Sequence, residues 1–419
     1  MSHVIPAMEA ATTLSGADRG ITQAERYRAT RSLSQALAEP LSDADATIQS
    51  MADASPAKWH LAHTTWFFET FLLRDHLPGY VRFNDDWPFL FNSYYEAEGA
   101  RHARAARGML SRPSLEDVLR YRDHVDAALE PLLEREELAP LIELGIQHEQ
   151  QHQELLLTDI KHALWFNPLG PAYLVSVEGA AIRASSEPEW HEYPGGIARV
   201  GHDGEGFAFD NEGPAHRVLL EPFALADRLV TNREWQAFMA DGGYRNPALW
   251  LSDGWAWVQR EKIVAPLYWR EHEQFTLAGW RGLDPDAPVT HISGYEADAF
   301  ATWAGCRLPT EFEWEVIAQH EQPMAGNQLD DPTAVQPDGS SGLFGDCWQW
   351  TRSAYLPYPR FRPCEGAVGE YNGKFMSGQS VLKGASCATP RGHSRASYRN
   401  FFYPHQRWQF TGLRLAKDT

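Results

Sequence analysis

Cysteine is scarce in this sequence. Its 419 residues include four cysteines, Cys306, Cys347, Cys364 and Cys387, and no two of them form a C-x-x-C pair. Disulfide-stabilised scaffolds are dense in cysteine and belong to oxidising compartments, so a fold of that kind is excluded. We expect a cytoplasmic protein with reduced thiols.

Long apolar runs are missing as well. No stretch of about 18 consecutive apolar residues occurs, which excludes a membrane-spanning helix. The opening segment MSHVIPAMEAATTLSGADRG contains no apolar core of signal-peptide length, so no export signal is expected. A membrane is therefore not an expected partner.

Positive charge is in short supply. Lysine and arginine total 37 against 56 aspartates and glutamates, which gives a formal net charge of −19. Phosphate-rich partners are not attracted to an acidic protein, so nucleic acid is not an expected partner. A local exception is the basic segment GARHARAARG at 99–108, which contains Arg101, Arg104 and Arg107.

The first half of the sequence has a helical pattern. Amphipathic periodicity and capping residues predict four helices, separated in the middle by a long connection from Pro78 to Pro113. They are predicted over 21–40, from Ser55 through AKWHLAHTTWFFETFLLRDHL, from Ser114 through VLRYRDHVDAALEPLLER, and over 139–165. This pattern is typical of a four-helix bundle that carries a functional loop.

The second half differs from the first in residue composition and in its lack of helical periodicity. Glycine, proline and tryptophan become frequent after about residue 175, and only 231–240 and 294–305 are predicted to be helical. A loop-rich α+β domain is therefore expected. We place the two domains at 1–175 and 176–419, with the boundary between Pro168 and Pro194.

A histidine pair lies on the fourth predicted helix. In IQHEQQHQELLL, residues 146–157, His148 and His152 are one turn apart and in line with Leu144 and Leu155. Two neutral imidazoles buried without a partner are costly, whereas a single buried histidine is more simply a hydrogen-bonded core residue. The pair therefore predicts a metal site, with both rings pointing into the bundle.

The same stretch matches a zinc peptidase signature, H-E-x-x-H, in which Glu149 would be the catalytic base. The longer form H-E-x-x-H-x-x-G-x-x-H fails because Leu155 and Thr158 occupy its glycine and third-histidine positions. The form with a carboxylate on a following helix also fails, because the chain becomes loop after Trp165. A peptidase is therefore disfavoured.

The third metal ligand is expected upstream, on the second predicted helix. The segment KWHLAH supplies His60 and His63, and helical phase does not choose between them. Three imidazoles leave coordination positions open, which suits Zn(II) with water or Fe(II) with substrate and O2.

Segments from both halves carry a family resemblance. In the first half they are SPAKWHLAHTTWFFETFLL and HEQQHQELLLTDIKHAL; in the second they are RLVTNREWQAFM, PVTHISGYEADAFATWAGCRLPTEFEWEVIA, GDCWQWT and VLKGASCATPRGHSRASYRNFFYPHQRWQFTGLRLAK. Together they resemble the ergothioneine sulfoxide synthase family, over nearly the whole chain and in one order. The resemblance implies a DinB-like four-helix bundle followed by a C-type-lectin-like α+β domain of the formylglycine-generating-enzyme (sulfatase-modifying-factor) type, which forms the substrate wall.

The resemblance also implies a reaction. The family consists of non-haem Fe(II) enzymes that use O2 to join a thiol donor to C2 of the imidazole of hercynine, Nα-trimethylhistidine, with a sulfoxide as product. Its metal ligands correspond to His63, His148 and His152, which leaves His60 in the core or beside a ligand. Three imidazoles leave room on one ion for the substrate imidazole, the donor thiolate and O2.

Two further site elements follow from the long loop. In FNSYYE, Tyr94 or Tyr95 corresponds to a tyrosine that faces the oxygen-binding side and donates a proton or a hydrogen atom; ordinary aromatic packing is the alternative. In the basic segment, Arg101 and Arg104 are expected to bind the donor carboxylate in bidentate fashion, unless the segment is a solvated helix face.

The remaining site residues are expected to contact hercynine. Gln151 corresponds to a glutamine near the bound imidazole, and YRNFFYP supplies Asn400, Phe401 and Phe402. A trimethylammonium group has no N–H donor and calls for aromatic faces, which Trp408 also offers. Packing in a structural core is the alternative for each of these aromatic side chains.

Several functions stay open at this stage. The FNSYYE element favours free cysteine as donor, over γ-glutamylcysteine or a selenium donor of selenoneine synthesis. A zinc-dependent DinB-like thiol transferase and a non-catalytic ligand-binding protein are further alternatives. Cys387 stands alone in GASCATPR, so the cysteine oxidation performed by formylglycine-generating enzymes is not expected. The expected partners are therefore small molecules, and the oligomeric state is left open.

Overall fold

The computed structural model describes residues 20–175, 187–340, 342–363 and 372–419. The opening segment up to residue 19 and Cys364 lie outside these ranges. Within the ranges, none of the helices combines the length and the apolar character that crossing a bilayer requires.

The first half forms the predicted helical bundle. Its helices, in chain order, are α1 (Gln23–Ala38), α2 (Asp43–Thr47), α3 (Ala57–Phe68), α4 (Arg74–His76), α5 (Trp87–Phe91), α6 (Leu115–Leu129) and α7 (Ala139–Trp165). A π-helical turn, Glu69–Leu73, joins α3 to α4. The long helices α1, α3, α6 and α7 pack against one another, and capping boxes start α1 at Thr22 and α6 at Ser114.

A buried ion network occupies the centre of the bundle, and each long helix contributes to it. Glu149 of α7 accepts from Arg31 of α1 and from Arg122 of α6, both at 2.8 Å. Arg31 also donates to the Thr65 hydroxyl of α3 at 3.0 Å. Because these charges are buried, each requires its partner, and the network ties the four helices together.

Close approach of α7 to α3 brings their histidines together. A Cβ atom added at Gly145 would overlap the ring of Phe68 and would lie 3.2 Å from the ring of Phe67. Glycine therefore lets the two helices pack more closely than a larger residue would at this crossing. His148 of α7 lies one turn further along the helix, where it meets His63 of α3.

The second half contains more helix than the sequence predicts. Its helices are α8 (Asn232–Ala240), α9 (Ser252–Glu261), α10 (Gly294–Trp303) and α11 (Glu311–Ala318). The prediction of two helical segments is therefore incomplete, since it includes α8 and α10 but not α9 and α11. The tryptophans of the two missed helices, Trp257 and Trp314, are buried in the hydrophobic cores of the second half, and this tertiary packing stabilises short helices.

The strands of the second half are short and form small sheets. In chain order they are β1 (Trp190–Tyr193), β2 (Gly196–Val200), β3 (His216–Leu220), β4 (Phe223–Ala226), β5 (Trp269–Arg270), β6 (Glu273–Thr276), β7 (Gly279–Gly282), β8 (Trp348–Ala354), β9 (Ser380–Gly384), β10 (Asn400–Phe402), β11 (Thr411–Gly412) and β12 (Ala416–Asp418). The sheet orders are β1-β4-β12, β10-β9-β8-β11, β2-β3 and β5-β6-β7. Strands β8 and β11 are parallel, and the other pairs are antiparallel.

Helix α7 lies between the bundle and the second domain. On the side away from Glu149, the buried carboxylate of Glu154 accepts from the Trp348 indole, the Ser386 hydroxyl and the Thr389 hydroxyl, each at 2.7 Å. Burial raises the pKa of Glu154 although these three donors oppose it. The docked second domain thus buries the face of α7 that the bundle leaves uncovered.

Candidate metal and substrate site

A cavity of about 230 Å³ lies between the two domains. That volume is many times the roughly 10–15 Å³ that one water molecule requires, so the cavity has room for small molecules. Its walls come from α3, α7 and the long loop on one side, and from the second domain on the other.

Three histidines converge at the bundle side of this cavity. His63 of α3 and His148 and His152 of α7 each offer a ring nitrogen, and these three atoms lie within 4.8 Å of one another. The ring centroids are 5.0 Å apart for His63 and His148, 4.8 Å for His63 and His152, and 4.7 Å for His148 and His152. The structure therefore brings all three predicted ligands together.

The protonation of these rings suits a metal ion. Burial lowers the pKa of all three, that of His148 to about 4 and those of His63 and His152 well below the ordinary value. The Nδ1 atom of His63 donates to the Phe91 carbonyl at 2.6 Å, which leaves Nε2 as the bare nitrogen. His148 Nδ1 is buried without a hydrogen-bond partner in the described part of the chain. Neutral, converging imidazoles of this kind fit a divalent transition metal.

His60 does not belong to the cluster. It lies behind His152, with its Nδ1 atom 2.8 Å from His152 Nδ1 and its Nε2 atom 3.1 Å from Asp159 Oδ2. The structure thus separates the two histidines of KWHLAH, which helical phase leaves undecided.

The rings of the histidine pair face both α3 and the cavity. They contact His63 and Phe67 of α3, and they line the cavity between the domains. The centre of the bundle is occupied by Glu149 with its arginine partners. Leu144 and Leu155, which share their stripe, are accordingly only half-buried. Glu149 itself is bound by Arg31, Arg122 and the Ser34 hydroxyl, so it is not placed as a peptidase base.

Two arginines of the basic segment line the cavity. Arg104 donates to the Tyr94 hydroxyl at 2.6 Å and to the backbone carbonyl of Asp53. Arg107 lies with its guanidinium carbon 3.3 Å from the centre of the Trp59 ring, and burial together with Arg104 lowers its pKa to about 9. Arg101, in contrast, does not line the cavity, and it pairs with Glu96 at 2.6 Å. The structure therefore places Arg107, not Arg101, beside Arg104.

Both candidate tyrosines reach the cavity but in different surroundings. Tyr94 is half-buried, accepts from Arg104, and packs edge-on against Phe375 of the second domain at 5.1 Å. Tyr95 is 5% exposed and packs against Trp66 and Phe71 of the bundle, each at 5.4 Å. Tyr94 thus faces the arginines, and Tyr95 faces the aromatic layer near the metal cluster.

The second domain supplies the opposite wall. Asn400, Phe401 and Phe402, the residues expected to contact hercynine, form β10 and line the cavity. Phe401 is stacked on Tyr355 at 4.2 Å, so this ring also has a structural role. Gln151 lines the cavity from α7 and donates to the Tyr398 hydroxyl at 2.8 Å.

Several residues that line the cavity were not among the predicted site residues. Tyr398 precedes Asn400 by two residues, so alternation along an extended segment places both on one side of the chain. Asp159 follows His152 by seven residues, which is a spacing that keeps both on one face of a helix. Ser93 precedes the two tyrosines in FNSYYE. Trp59, in contrast, offers no local signal, because only the tertiary fold brings Arg107 over its ring.

Comparisons with known proteins agree with this architecture. The DinB superfamily model matches residues 26–156, and the sulfatase-modifying factor enzyme 1-like domain model matches residues 180–333. Hercynine oxygenase from Mycolicibacterium smegmatis is 34% identical over 406 residues, which cover 87% of this chain and 91% of the relative. The hercynine oxygenase from Mycobacterium tuberculosis is 32% identical over 398 residues, with coverages of 87% and 91%. Ergothioneine biosynthesis protein 1 from Schizosaccharomyces pombe is 29% identical over 227 residues, 51% of this chain and 28% of the relative.

A DinB-type bundle with a histidine cluster, followed by a sulfatase-modifying-factor-like domain, defines a two-domain class of enzyme with its cavity between the domains. The predicted fold class is confirmed. The chain belongs to the hercynine oxygenase family, which confirms the resemblance found in the sequence. The two domain matches leave residues 157–179 unassigned, and the boundary at 175/176 remains a prediction inside that interval.

Proposed function

We propose that this protein is a non-haem Fe(II) enzyme of ergothioneine biosynthesis that uses O2 to join L-cysteine to C2 of the hercynine imidazole, with a sulfoxide as product. One observation carries the proposal. The three-histidine cluster opens into a cavity whose other walls supply guanidinium groups and aromatic faces. The names of the relatives, hercynine oxygenase and ergothioneine biosynthesis protein 1, support the substrate and the pathway.

The metal would be held by His63, His148 and His152. All three rings are neutral at pH 7, and their nitrogens converge without a carboxylate among them. When bound, Fe(II) supplies O2 activation and a common attachment point for the hercynine imidazole and the cysteine thiolate. Because the described residues contribute three ligands, coordination positions remain for these reactants.

The arginine wall fits the carboxylate of the donor. In the described ranges Arg107 has no ion pair with a carboxylate, and its hydrogen bonds go to the hydroxyls of Ser55 and Ser93. Its lowered pKa shows that burial and the charge of Arg104 disfavour the cation. A bound carboxylate would compensate both charges, which favours cysteine over a donor without this group.

The aromatic wall fits the trimethylammonium group of hercynine. Phe402 and Trp408 both line the cavity, and their ring centres lie 6.2 Å apart. An ammonium without N–H donors gains attraction from such faces but no hydrogen bonds. Gln151 is held by Tyr398 where it can orient the imidazole end of the substrate through water.

One of the two tyrosines donates a proton or a hydrogen atom on the oxygen-binding side of the metal. Tyr94 has a hydroxyl polarised by the Arg104 guanidinium, whereas Tyr95 lies in the apolar layer that also contains Phe67, a neighbour of His148. Both remain candidates for the donor.

The test is reconstitution of the purified protein with Fe(II) under anaerobic conditions. O2 is then added with hercynine and, in parallel, with cysteine, γ-glutamylcysteine or a selenol donor, and products are identified by mass. We expect a cysteine–hercynine sulfoxide that requires Fe(II) and O2. Turnover with Zn(II) in the absence of O2 would instead indicate a thiol transferase. Hercynine binding without O2 consumption would indicate a binding protein.

A cytoplasmic location is part of the proposal. The donor must reach the site as a free thiol, and the cytoplasm keeps thiols reduced.

A further inference from the structure

Buried polar side chains form a second layer behind the ring of His152. The Nδ1 atoms of His60 and His152 are 2.8 Å apart, and His60 Nε2 is 3.1 Å from Asp159 Oδ2. His60 is 3% exposed and Asp159 is 5% exposed, so water does not compete for these bonds. The three groups form a continuous chain of hydrogen bonds from His152 of the metal cluster to Asp159.

Donor and acceptor chemistry sets the direction of the hydrogens along this chain. The carboxylate of Asp159 only accepts, so the Nε2 atom of His60 carries a hydrogen and donates it. With that hydrogen on Nε2, the Nδ1 atom of His60 accepts a hydrogen from Nδ1 of His152, 2.8 Å away. His152 is left with a bare Nε2 atom, and a bare ring nitrogen is what a metal ion requires.

The second domain holds the far end of the chain. Asp159 Oδ1 accepts the indole N–H of Trp408 at 3.2 Å, and Oδ2 accepts the backbone N–H of Ser55 at 2.8 Å. Trp408 lies between β10 and β11, and its side chain is 7% exposed. A donor from the second domain thus fixes the carboxylate that orients His60.

We infer that His60 and Asp159 are positioning residues that set the tautomer of His152, and that Trp408 makes metal affinity depend on the docked second domain. This inference rests on the proposed metal site. Carboxylates and their relays that orient a metal-binding histidine contribute typically about 10–100-fold to metal affinity. The second domain therefore acts on the metal centre as well as on the substrate.

Two substitutions of His60 test the relay. His60→Leu removes the acceptor of His152 Nδ1–H, and we expect Co(II), used as the probe, to bind about 10–100-fold more weakly. His60→Gln offers an amide oxygen to His152 and an amide N–H to Asp159, so we expect affinity within about threefold of the unmodified protein. Affinity is measured by anaerobic isothermal titration calorimetry of the full chain.

The contribution of the second domain is tested with matched tryptophan variants. Trp408→Phe keeps an aromatic ring and removes the N–H, and we expect Co(II) affinity to fall by up to about tenfold. Trp348→Phe is the control, because it removes an indole N–H that also crosses the interface to α7 but ends on Glu154. Equal losses in both variants would show that loosened docking, not the relay, lowers the affinity.

The tautomer itself gives a readout that a merely structural role would not change. Nitrogen-15 spectra of histidine-labelled, metal-free protein should show His152 protonated at Nδ1, and a shift toward Nε2 in His60→Leu. Protonation of His152 at Nε2 in the unmodified protein, or unchanged Co(II) affinity in a folded His60→Leu variant, overturns the inference. If the unmodified protein binds no Co(II), the proposed function fails, and the tautomer still decides this inference separately.

Discussion

The buried carboxylate of Glu149 gives the sharpest test of how the H-E-x-x-H stretch is used. In a peptidase this glutamate is the base, and its amide variant loses activity while the fold is kept. Here the structure gives it a different task, since its oxygens accept from Arg31, Arg122 and Ser34 in the centre of the bundle. We therefore expect Glu149→Gln to destabilise the protein strongly and to leave the metal site intact in the folded fraction.

The magnitude follows from the partners that the substitution leaves behind. Arg31 retains Asp126 at 2.8 Å, whereas Arg122 loses its carboxylate partner within the described residues. Removing one member of a buried ion pair costs about 3–5 kcal/mol. Burial alone would raise the pKa of Glu149, but Arg122 and Arg31 lower it from 4.5 to about 2, a difference of roughly 3 kcal/mol.

The sign of the pH dependence follows as well. A carboxyl group whose pKa is lower in the folded state stabilises the fold fully above its unfolded value. This contribution is lost as the pH falls from about 4.5 toward about 2, because the folded protein must then bind the proton. The Glu149→Gln variant should lack this part of the acid-induced loss of stability.

The assay is equilibrium unfolding in urea, followed by circular dichroism, together with Co(II) binding under native conditions. We expect Glu149→Gln to lower the free energy of unfolding by about 3 kcal/mol. Glu130→Gln is the matched control, since its half-exposed pair with Arg28 is worth about 0–1 kcal/mol. A variant with unchanged stability but without activity would refute the structural role and indicate that Glu149 acts in catalysis.

Three further outcomes are expected at the cavity. His152→Ala should abolish Fe(II) binding, measured as iron retained after anaerobic desalting; full retention would refute the ligand assignment. Arg107→Ala should raise the KM for cysteine by about 10–100-fold without changing that for hercynine, because one charge-assisted contact is lost; Arg101→Ala, whose side chain lies away from the cavity, should change neither. Tyr94→Phe and Tyr95→Phe should both retain Fe(II), and one of them should divert turnover from C–S bond formation to simple thiol oxidation, measured by product mass; if neither does, the tyrosine role is wrong.

The helical half was predictable because its signals are local. Capping boxes at Thr22 and Ser114 mark helix starts in the sequence, and α7 has the predicted bounds of 139–165. The second half was less predictable. Length does not explain the difference, since α9 and α11 span 10 and 8 residues and the predicted α8 and α10 span 9 and 10. Helix α9 begins without a side-chain cap, so its start has no local signal. Helix α11 has a capping box, Thr310 with Glu313, which is a local signal that the prediction left unused.

The site was predictable where its residues are neighbours along one helix. His148 and His152 follow from their spacing, but the third histidine does not, because His60 and His63 share a face of α3. The arginines show the same limit. Arg104 and Arg107 lie three residues apart in a 3₁₀ turn, Arg104–Met109, where such residues eclipse each other. An isolated turn of this kind leaves no periodic signal, so Arg101 and Arg107 were indistinguishable in the sequence.

Helix geometry explains how the residues of one short stretch of α7, 148–154, face three different surroundings. Successive residues of an α-helix are rotated by about 100°, so His152 lies only about 40° from His148 and both reach the cavity. Glu149 is about 100° away on one side, where it meets the arginines of the bundle. Gln151 and Glu154 are about 60° and 120° away on the other side, where they bond to Tyr398 and Trp348 of the second domain. The H-E-x-x-H pattern indicates a peptidase only when its glutamate also faces the metal. Here the side of α7 that carries Glu149 lies in the interior of the bundle.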